Sequence, residues 1–176
     1  MRAGREVCVA FYGHPGVFVE PSHAAMRRAR EAGFEARMLP GVSAEDCLFA
    51  DLGVDPAEAG CQSYEATDFL LRRRRFDPTA ALILWQVAAV AVTTYTTGLH
   101  RRGLRVLADR LLEEYPAQHR VTLYEAAVFP FGEPLVDELP LELLADCDPR
   151  PLATLYVPPL EPRPADAETA RRLGLL

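Results

Sequence analysis

The order of apolar and polar positions divides the first half of the chain into alternating strands and helices. Residues 6–12, EVCVAFY, are apolar almost without interruption, and residues 81–87, ALILWQV, are apolar apart from one glutamine. Such runs are typical of strands that are buried on both faces of a parallel sheet. Residues 34–39 predict a further strand, and residues 61–64 predict a weaker one.

Signals for the start and the end of helices lie between these strands. Ser22 predicts the N-cap of a first helix. Ser43 predicts the N-cap of a second helix, for which Asp46 completes a capping box and Gly53 marks the end. A short helix is predicted over residues 67–74. This alternation of strand and helix predicts an α/β sheet with right-handed crossovers.

The pattern changes in the second half of the chain. Residues 98–115 predict a long amphipathic helix, and residues 120–126 and 152–157 predict strands. Residues 134–145 predict either a strand or a short helix. The inward face of the long helix is predicted to consist of Leu104, Leu107, Ala108, Leu111 and Leu112.

This change of pattern predicts two domains. The first, over residues 1–90, is an α/β domain built on a parallel sheet, and the second, over residues 91–160, is a smaller α+β domain. The proline-rich segment that follows leads into a tail over residues 161–176. A chain of 176 residues is long enough to bury the core that such an arrangement needs.

Composition excludes several kinds of function. The net charge of −6 argues against a general nucleic-acid surface. The longest apolar run, at 80–92, is too short to span a bilayer. The cysteines, Cys8, Cys47, Cys61 and Cys147, have no CxxC spacing, so we expect no metal site and predict reduced thiols in a cytoplasmic protein.

Three loops follow predicted strands and carry glycine or small residues: Tyr12–Phe18, Leu39–Ala44 and Gln86–Ala89. Ligands of α/β proteins bind outside the carboxyl ends of parallel strands, where glycine lets the backbone approach closely. The loops are therefore candidates for one shared ligand site. The alternative is that they are ordinary turns, since every parallel sheet has loops of this kind.

The first of these loops, GHPG, matches neither GxGxxG nor GxxxxGK[ST], so neither a dinucleotide fingerprint nor a P-loop is predicted. We interpret His14 as a wall or turn residue, because no serine and aspartate accompany it in a catalytic order. Gln86 is predicted to be a buried polar side chain at the end of an apolar strand. It then needs a hydrogen-bond partner from the protein or from a ligand.

Four motifs follow one another along the chain: YGHPGVF (12–18), LPGVSAED (39–46), YEATDFLLR (64–72) and LYVPP (155–159). They resemble the tetrapyrrole methylase superfamily, and within it they are similar to the borosin-type peptide backbone α-N-methyltransferases and their bacterial relatives. GHPG stands where most members have Gly-Asp-Pro. The resemblance implies a tetrapyrrole methylase-like α/β fold and an enzyme that uses S-adenosyl-L-methionine, bound in a cleft between two domains.

The resemblance also assigns site residues. Tyr12 matches a tyrosine proposed to act at the reaction centre, so it is the predicted catalytic residue. The family usually has Ser-Thr where this chain has Ala153 and Thr154. The residues implied to line the methyl-donor site are Tyr12, His14, Val17, Phe18, Ala44, Gln86, Ala153 and Thr154.

Family members have a glycine-rich strand and further elements ahead of the strand that leads into GHPG. The resemblance therefore implies that this chain is truncated at its N-terminus, with impaired activity, and that a peptide substrate is supplied in trans. Two alternatives stay open: a methylase of a small, tetrapyrrole-type molecule, and a non-catalytic remnant or partner subunit. We also expect a homodimer, since the truncation would leave sheet edges exposed.

Overall fold

Backbone contacts divide the protein into two units. The computed structural model describes residues 4–92, 101–129, 131–161 and 164–176. The N-terminal unit comprises Met1–Val54 and Val128–Pro130, and the sheet unit comprises Asp55–Ala127 and Phe131–Leu176. Among the described residues, none of the helices is both long enough and apolar enough to cross a membrane.

The N-terminal unit contains two helices, α1 (Glu20–Glu31) and α2 (Ala44–Leu52), and its described residues form no strand. The strands predicted at 6–12 and 34–39 are therefore wrong for this chain. A strand needs a hydrogen-bonded neighbour, and neither segment is paired in the sheet that the described residues form. Residues 4–13 are all exposed.

The start of α1 differs from the prediction, whereas α2 confirms it. Val19 occupies the N-cap of α1, and Ser22 lies inside its first turn, where its hydroxyl is within hydrogen-bond distance of the Pro15 and Val19 carbonyls. Ser22 as N-cap is therefore wrong. The capping box of Ser43 is present at the start of α2, and the C-cap is left-handed, at φ 63°.

The sheet unit is built around five strands in the order β1-β2-β5-β3-β4. β1 and β2 are parallel, and the other neighbours are antiparallel. The region predicted as a strand or a short helix forms β4 and then a 3₁₀ turn, Leu141–Asp146. The strands are β1 (Cys61–Glu65), β2 (Ala81–Trp85), β3 (Arg120–Glu125), β4 (Leu135–Pro140) and β5 (Thr154–Val157).

The described residues of the sheet unit also form four helices: α3 (Pro56–Ala59), α4 (Ala66–Leu71), α5 (Arg101–Leu112) and α6 (Ala167–Arg172). The prediction began the long helix at 98, and residues 98–100 lie outside the described residues. Of its predicted inward face, Leu112 is 37% exposed, so that assignment is wrong. The remaining four leucine and alanine side chains are buried, because they share the stripe that faces the sheet.

The sheet joins strands from both sides of residue 90. Leu82 of β2 pairs with Val157 of β5, and Leu84 pairs with Leu155. The domain boundary that the sequence predicts after residue 90 thus falls between two paired strands of one sheet. The division into two domains at that residue stays a prediction. Leu82, Leu84 and Leu155 belong to the same buried cluster as the inward face of α5.

Candidate functional site

The GHPG loop (residues 12–18) is a closed turn that uses its own histidine. Gly13 has φ +69°, a conformation that suits glycine. The Gly16 backbone N–H donates to His14 Nδ1 at 2.9 Å. A neutral imidazole that accepts at Nδ1 carries its proton on Nε2. His14 is therefore engaged in holding the loop, in keeping with the interpretation of a wall residue.

The PG loop (residues 39–44) packs directly against the GHPG loop, and Gly41 is the point of contact. A Cβ atom built on Gly41 would lie 3.1 Å from the Gly13 carbonyl oxygen and 3.3 Å from His14 Cα. A Cβ atom on Gly16 would lie 3.1 Å from Met38 Sδ. The absence of a side chain at Gly41 is what lets the two loops meet through their backbones.

Asp46 holds the far end of the PG loop. Its carboxylate accepts from the Ser43 N–H and from the Ser43 hydroxyl, both at 2.7 Å, while the Asp46 N–H donates to Ser43 Oγ at 3.2 Å. The hydrogen bonds from the hydroxyl and the backbone N–H of Ser43 hold the pKa of Asp46 below its usual value. This cap is therefore intact at neutral pH, and its stabilisation is lost only as the pH falls through the lowered pKa.

Five of the predicted site residues lie on these two loops: Tyr12, His14, Val17, Phe18 and Ala44. The Tyr12 side chain is 70% exposed, and Phe18 is 45% exposed. Ala44 is the first residue of α2, directly after the capping serine. The N-terminal unit thus presents an exposed hydroxyl and apolar side chains beside closely packed backbone groups.

The other three predicted residues belong to the sheet unit. Gln86 follows the last residue of β2 and is exposed, so the predicted burial of its side chain is wrong. The buried neighbour is Trp85, whose Nε1–H donates to Ser63 Oγ at 2.6 Å. Ala153 and Thr154 are each 3% exposed, and Ala153 lines a cavity of about 310 Å³ beside β3 and β4.

Backbone strain marks two of the predicted residues independently of any motif. Among the described residues, the non-glycine residues with positive φ are Phe18, Arg73, Gln86 and Ala91. This conformation costs about 1–2 kcal/mol for an L-residue, and such strain clusters at functional sites. No sequence signal reveals the strain at Phe18 or Gln86, since neither is the glycine or asparagine that favours positive φ.

The chemistry of the loops is that of a site built from backbone groups and small side chains. Within the described ranges, no group of three His, Cys, Asp or Glu residues is placed to hold a metal ion. Backbone N–H and C=O groups that glycine leaves uncovered suit an organic ligand with hydrogen-bonding groups of its own. The family model of the tetrapyrrole (corrin/porphyrin) methylases matches residues 1–139, which include both loops.

The chain belongs to this family. Among tetrapyrrole methylases it is similar to fungal proteins whose names combine a methyltransferase with a peptide precursor. It is 46% identical over 181 residues to the methyltransferase/ribosomally synthesized cyclic peptide gymnopeptides precursor of Gymnopus fusipes, covering 100% of this chain and 43% of that protein. It is 44% identical to the omphalotin A precursor of Omphalotus olearius, with the same coverage. The chain therefore spans less than half the length of these relatives.

Solved structures of tetrapyrrole methylases share the fold. The methyltransferase CobJ superposes with a TM-score of 0.61 at 18% identity, covering 94% of this chain and 69% of CobJ. Uroporphyrin III C-methyl transferase from Thermus thermophilus superposes with a TM-score of 0.57 at 17% identity, covering 83% of this chain and 60% of the transferase. These likenesses confirm the predicted α/β, tetrapyrrole methylase-like fold class.

Proposed function

We propose that this chain is the methyltransferase part of a borosin-type enzyme, which transfers a methyl group from S-adenosyl-L-methionine to backbone nitrogens of a peptide supplied in trans. The observation that carries the proposal is the glycine contact between the GHPG and PG loops. The names of the fungal relatives support the peptide as substrate, since each couples a methyltransferase to a peptide precursor.

The residues present fit the proposed cofactor. Its carboxylate, amino and adenine groups all make hydrogen bonds, and the two loops, which approach each other closely at Gly41, offer backbone groups as partners. When bound, the cofactor supplies a methyl group already activated by a positive sulfur. The residues that we propose to hold it, on the strength of the family resemblance, are Tyr12, His14, Val17, Phe18, Ala44, Gln86, Ala153 and Thr154.

The protein's chemical task is then to make an amide nitrogen nucleophilic. An amide nitrogen reacts poorly until it loses its proton or until charge on the neighbouring oxygen is stabilised. The Tyr12 hydroxyl is the group we assign to this task, because it is exposed at the edge of the GHPG loop. It donates a hydrogen bond to the imidate-like oxygen, while the amide proton passes to solvent water.

Methylation of a peptide tests this function. The chain is incubated with S-adenosylmethionine and the gymnopeptide precursor segment, and tandem mass spectrometry locates any added methyl group. We expect methylation on backbone nitrogen, and we expect Tyr12→Phe to slow it by about 100-fold when S-adenosylmethionine is saturating for both chains. The control is Tyr115→Phe, which removes a buried hydroxyl for which the described residues provide no partner.

The outcomes of the methylation experiment distinguish between the candidate functions. Equal turnover in Tyr12→Phe and the unaltered chain would contradict the catalytic assignment. Methylation of uroporphyrinogen instead of the peptide would favour the small-molecule methylase. Cofactor binding without methylation of either substrate would favour a non-catalytic partner subunit.

We also propose that the chain forms a homodimer through its exposed apolar segments. Val7, Val9 and Leu39 are 61–62% exposed and lie in the two segments that lack strand partners, and Val42, just after the second segment, is 64% exposed. Segments that have exposed apolar side chains and an unpaired backbone favour pairing with another chain.

Light scattering tests the proposed dimer. We expect Val9→Lys to lower the dimer fraction and Val106→Lys, at an exposed position on α5, to leave it unchanged. A monomeric unaltered chain would contradict the proposal.

A further inference from the structure

The loop that follows β2, here called the Gln86 loop (residues 86–92), is strained at both ends. Gln86 has φ 59° and Ala91 has φ 61°, and neither residue is a glycine. Between them lies a 3₁₀ turn, Val87–Ala89, closed by the Ala89 N–H donating to the Gln86 carbonyl at 2.9 Å. Left-handed L-residues persist only where their surroundings hold them, so specific contacts must maintain this loop.

Packing maintains the middle of the Gln86 loop. Val87 is 1% exposed and Val90 is 2% exposed, and both belong to the buried cluster of the sheet unit. Gly103 of α5 lies against the backbone of Val90: a Cβ atom there would lie only 2.7 Å from the Val90 carbonyl oxygen. The loop is therefore held closely against α5.

A side-chain hydrogen bond holds the strained backbone at Ala91. The Ala91 N–H donates to Thr67 Oγ1 at 3.1 Å. Thr67 lies in the first turn of α4, and its own N–H donates to Glu65 Oε1 at 2.9 Å. The acceptor of the Ala91 N–H is thus fixed by a capped helix that belongs to the same unit as the loop.

We propose that Thr67 is a positioning residue for the methyl-donor site, and that its hydroxyl maintains the left-handed Ala91 and so fixes the loop that presents Gln86. This inference rests on the proposed function, because Gln86 is assigned to the donor site there. Thr67 itself need not touch the cofactor. Its effect is on the conformation of the backbone that follows β2.

Calorimetric titration with S-adenosylhomocysteine and hydrogen exchange of residues 86–92 test the proposal together. Thr67→Val keeps the shape of the side chain and removes the acceptor, so we expect the Kd to rise about tenfold, because loss of this hydrogen bond lowers the population of the held loop by about that factor. Exchange at the Ala91 amide is expected to become faster. Thr67→Ser keeps the hydroxyl and is expected to restore both values to within about twofold of the unaltered chain.

A second substitution separates positioning from general destabilisation. Glycine adopts positive φ without strain, so Ala91→Gly in the Thr67→Val background is expected to recover most of the lost affinity. Thr79→Val, which removes an exposed hydroxyl that donates to Asp77 at 2.7 Å, is the matched control and is expected to change neither readout.

The two readouts make failure of the inference distinct from failure of the proposed function. If the unaltered chain does not bind S-adenosylhomocysteine, the proposed function fails. If Thr67→Val leaves exchange at Ala91 unchanged, or leaves the Kd unchanged in a chain that binds, the positioning role of Thr67 is overturned.

Discussion

Replacing Gly41 is expected to weaken the binding of S-adenosylhomocysteine about tenfold for alanine and about 100-fold for valine. A Cβ at this position would lie 3.1 Å from the Gly13 carbonyl oxygen, so the GHPG loop must move away from the PG loop. The contact is with backbone atoms, which cannot rotate aside as a side chain can. Valine adds two further carbons at the same place and requires a larger displacement.

Gly33→Ala is the matched control for Gly41→Ala. Gly33 ends α1 with φ +79°, so alanine there is strained, but a Cβ atom would meet nothing within 4 Å. We expect Gly33→Ala to lower the thermal midpoint while leaving the Kd within about twofold. If both variants lose affinity in proportion to their loss of stability, the specific role of the loop contact is contradicted.

Gly103→Ala is expected to destabilise the chain by about 1–3 kcal/mol, although alanine is normally the better helix residue. Helix propensity alone would favour the alanine by about 1 kcal/mol. The Cβ atom would, however, lie 2.7 Å from the Val90 carbonyl oxygen and 2.8 Å from Val90 Cβ. Either α5 or the Gln86 loop must shift, and the displacement of the loop is expected to weaken cofactor binding as well.

The sign of the change in the free energy of unfolding tests this prediction, because helix propensity and the close contact with Val90 predict opposite signs. Denaturant unfolding of Gly103→Ala is compared with that of Asp109→Ala, an exposed substitution on the same helix that is expected to be neutral or slightly stabilising. A Gly103→Ala chain more stable than the unaltered protein would show that the close approach of Val90 to α5 does not exist in solution.

Local signals in the sequence predicted those helix ends for which a single residue decides the backbone. Ser43 and Asp46 form their capping box, and Gly53 ends α2, because each contact lies within four residues along the chain. Ser22 was predicted wrongly as an N-cap. Pro21 lies in the first turn of α1, a position that proline favours, and it is the signal that places the helix start earlier.

Strands were harder to predict, because a strand exists only with a neighbour. Residues 81–85 form β2 as predicted, since β1 and β5 pair with them on either side. Residues 6–12 have an equally apolar pattern, yet they pair with no strand of the sheet that the described residues form. Hydrophobic periodicity reports what a segment is able to bury, and it does not report which segment lies beside it.

The sequence predicts the motifs of the candidate site, but it does not predict the contacts and backbone angles of that site. The order of YGHPGVF and LPGVSAED along the chain indicated the family, which the family model confirms. The contact at Gly41 and the left-handed backbone at Gln86 depend on how distant segments fold. They are properties of the folded units, and the close approach of the two loops explains why position 41 is a glycine.

Calorimetric titration of the unaltered chain with S-adenosylhomocysteine tests the central claim most directly, because it asks whether these loops hold the methyl donor's product. The account predicts micromolar binding with one molecule per chain, and a loss of that binding in Gly41→Val but not in Gly33→Ala. No measurable heat from a folded, unaltered chain would contradict it.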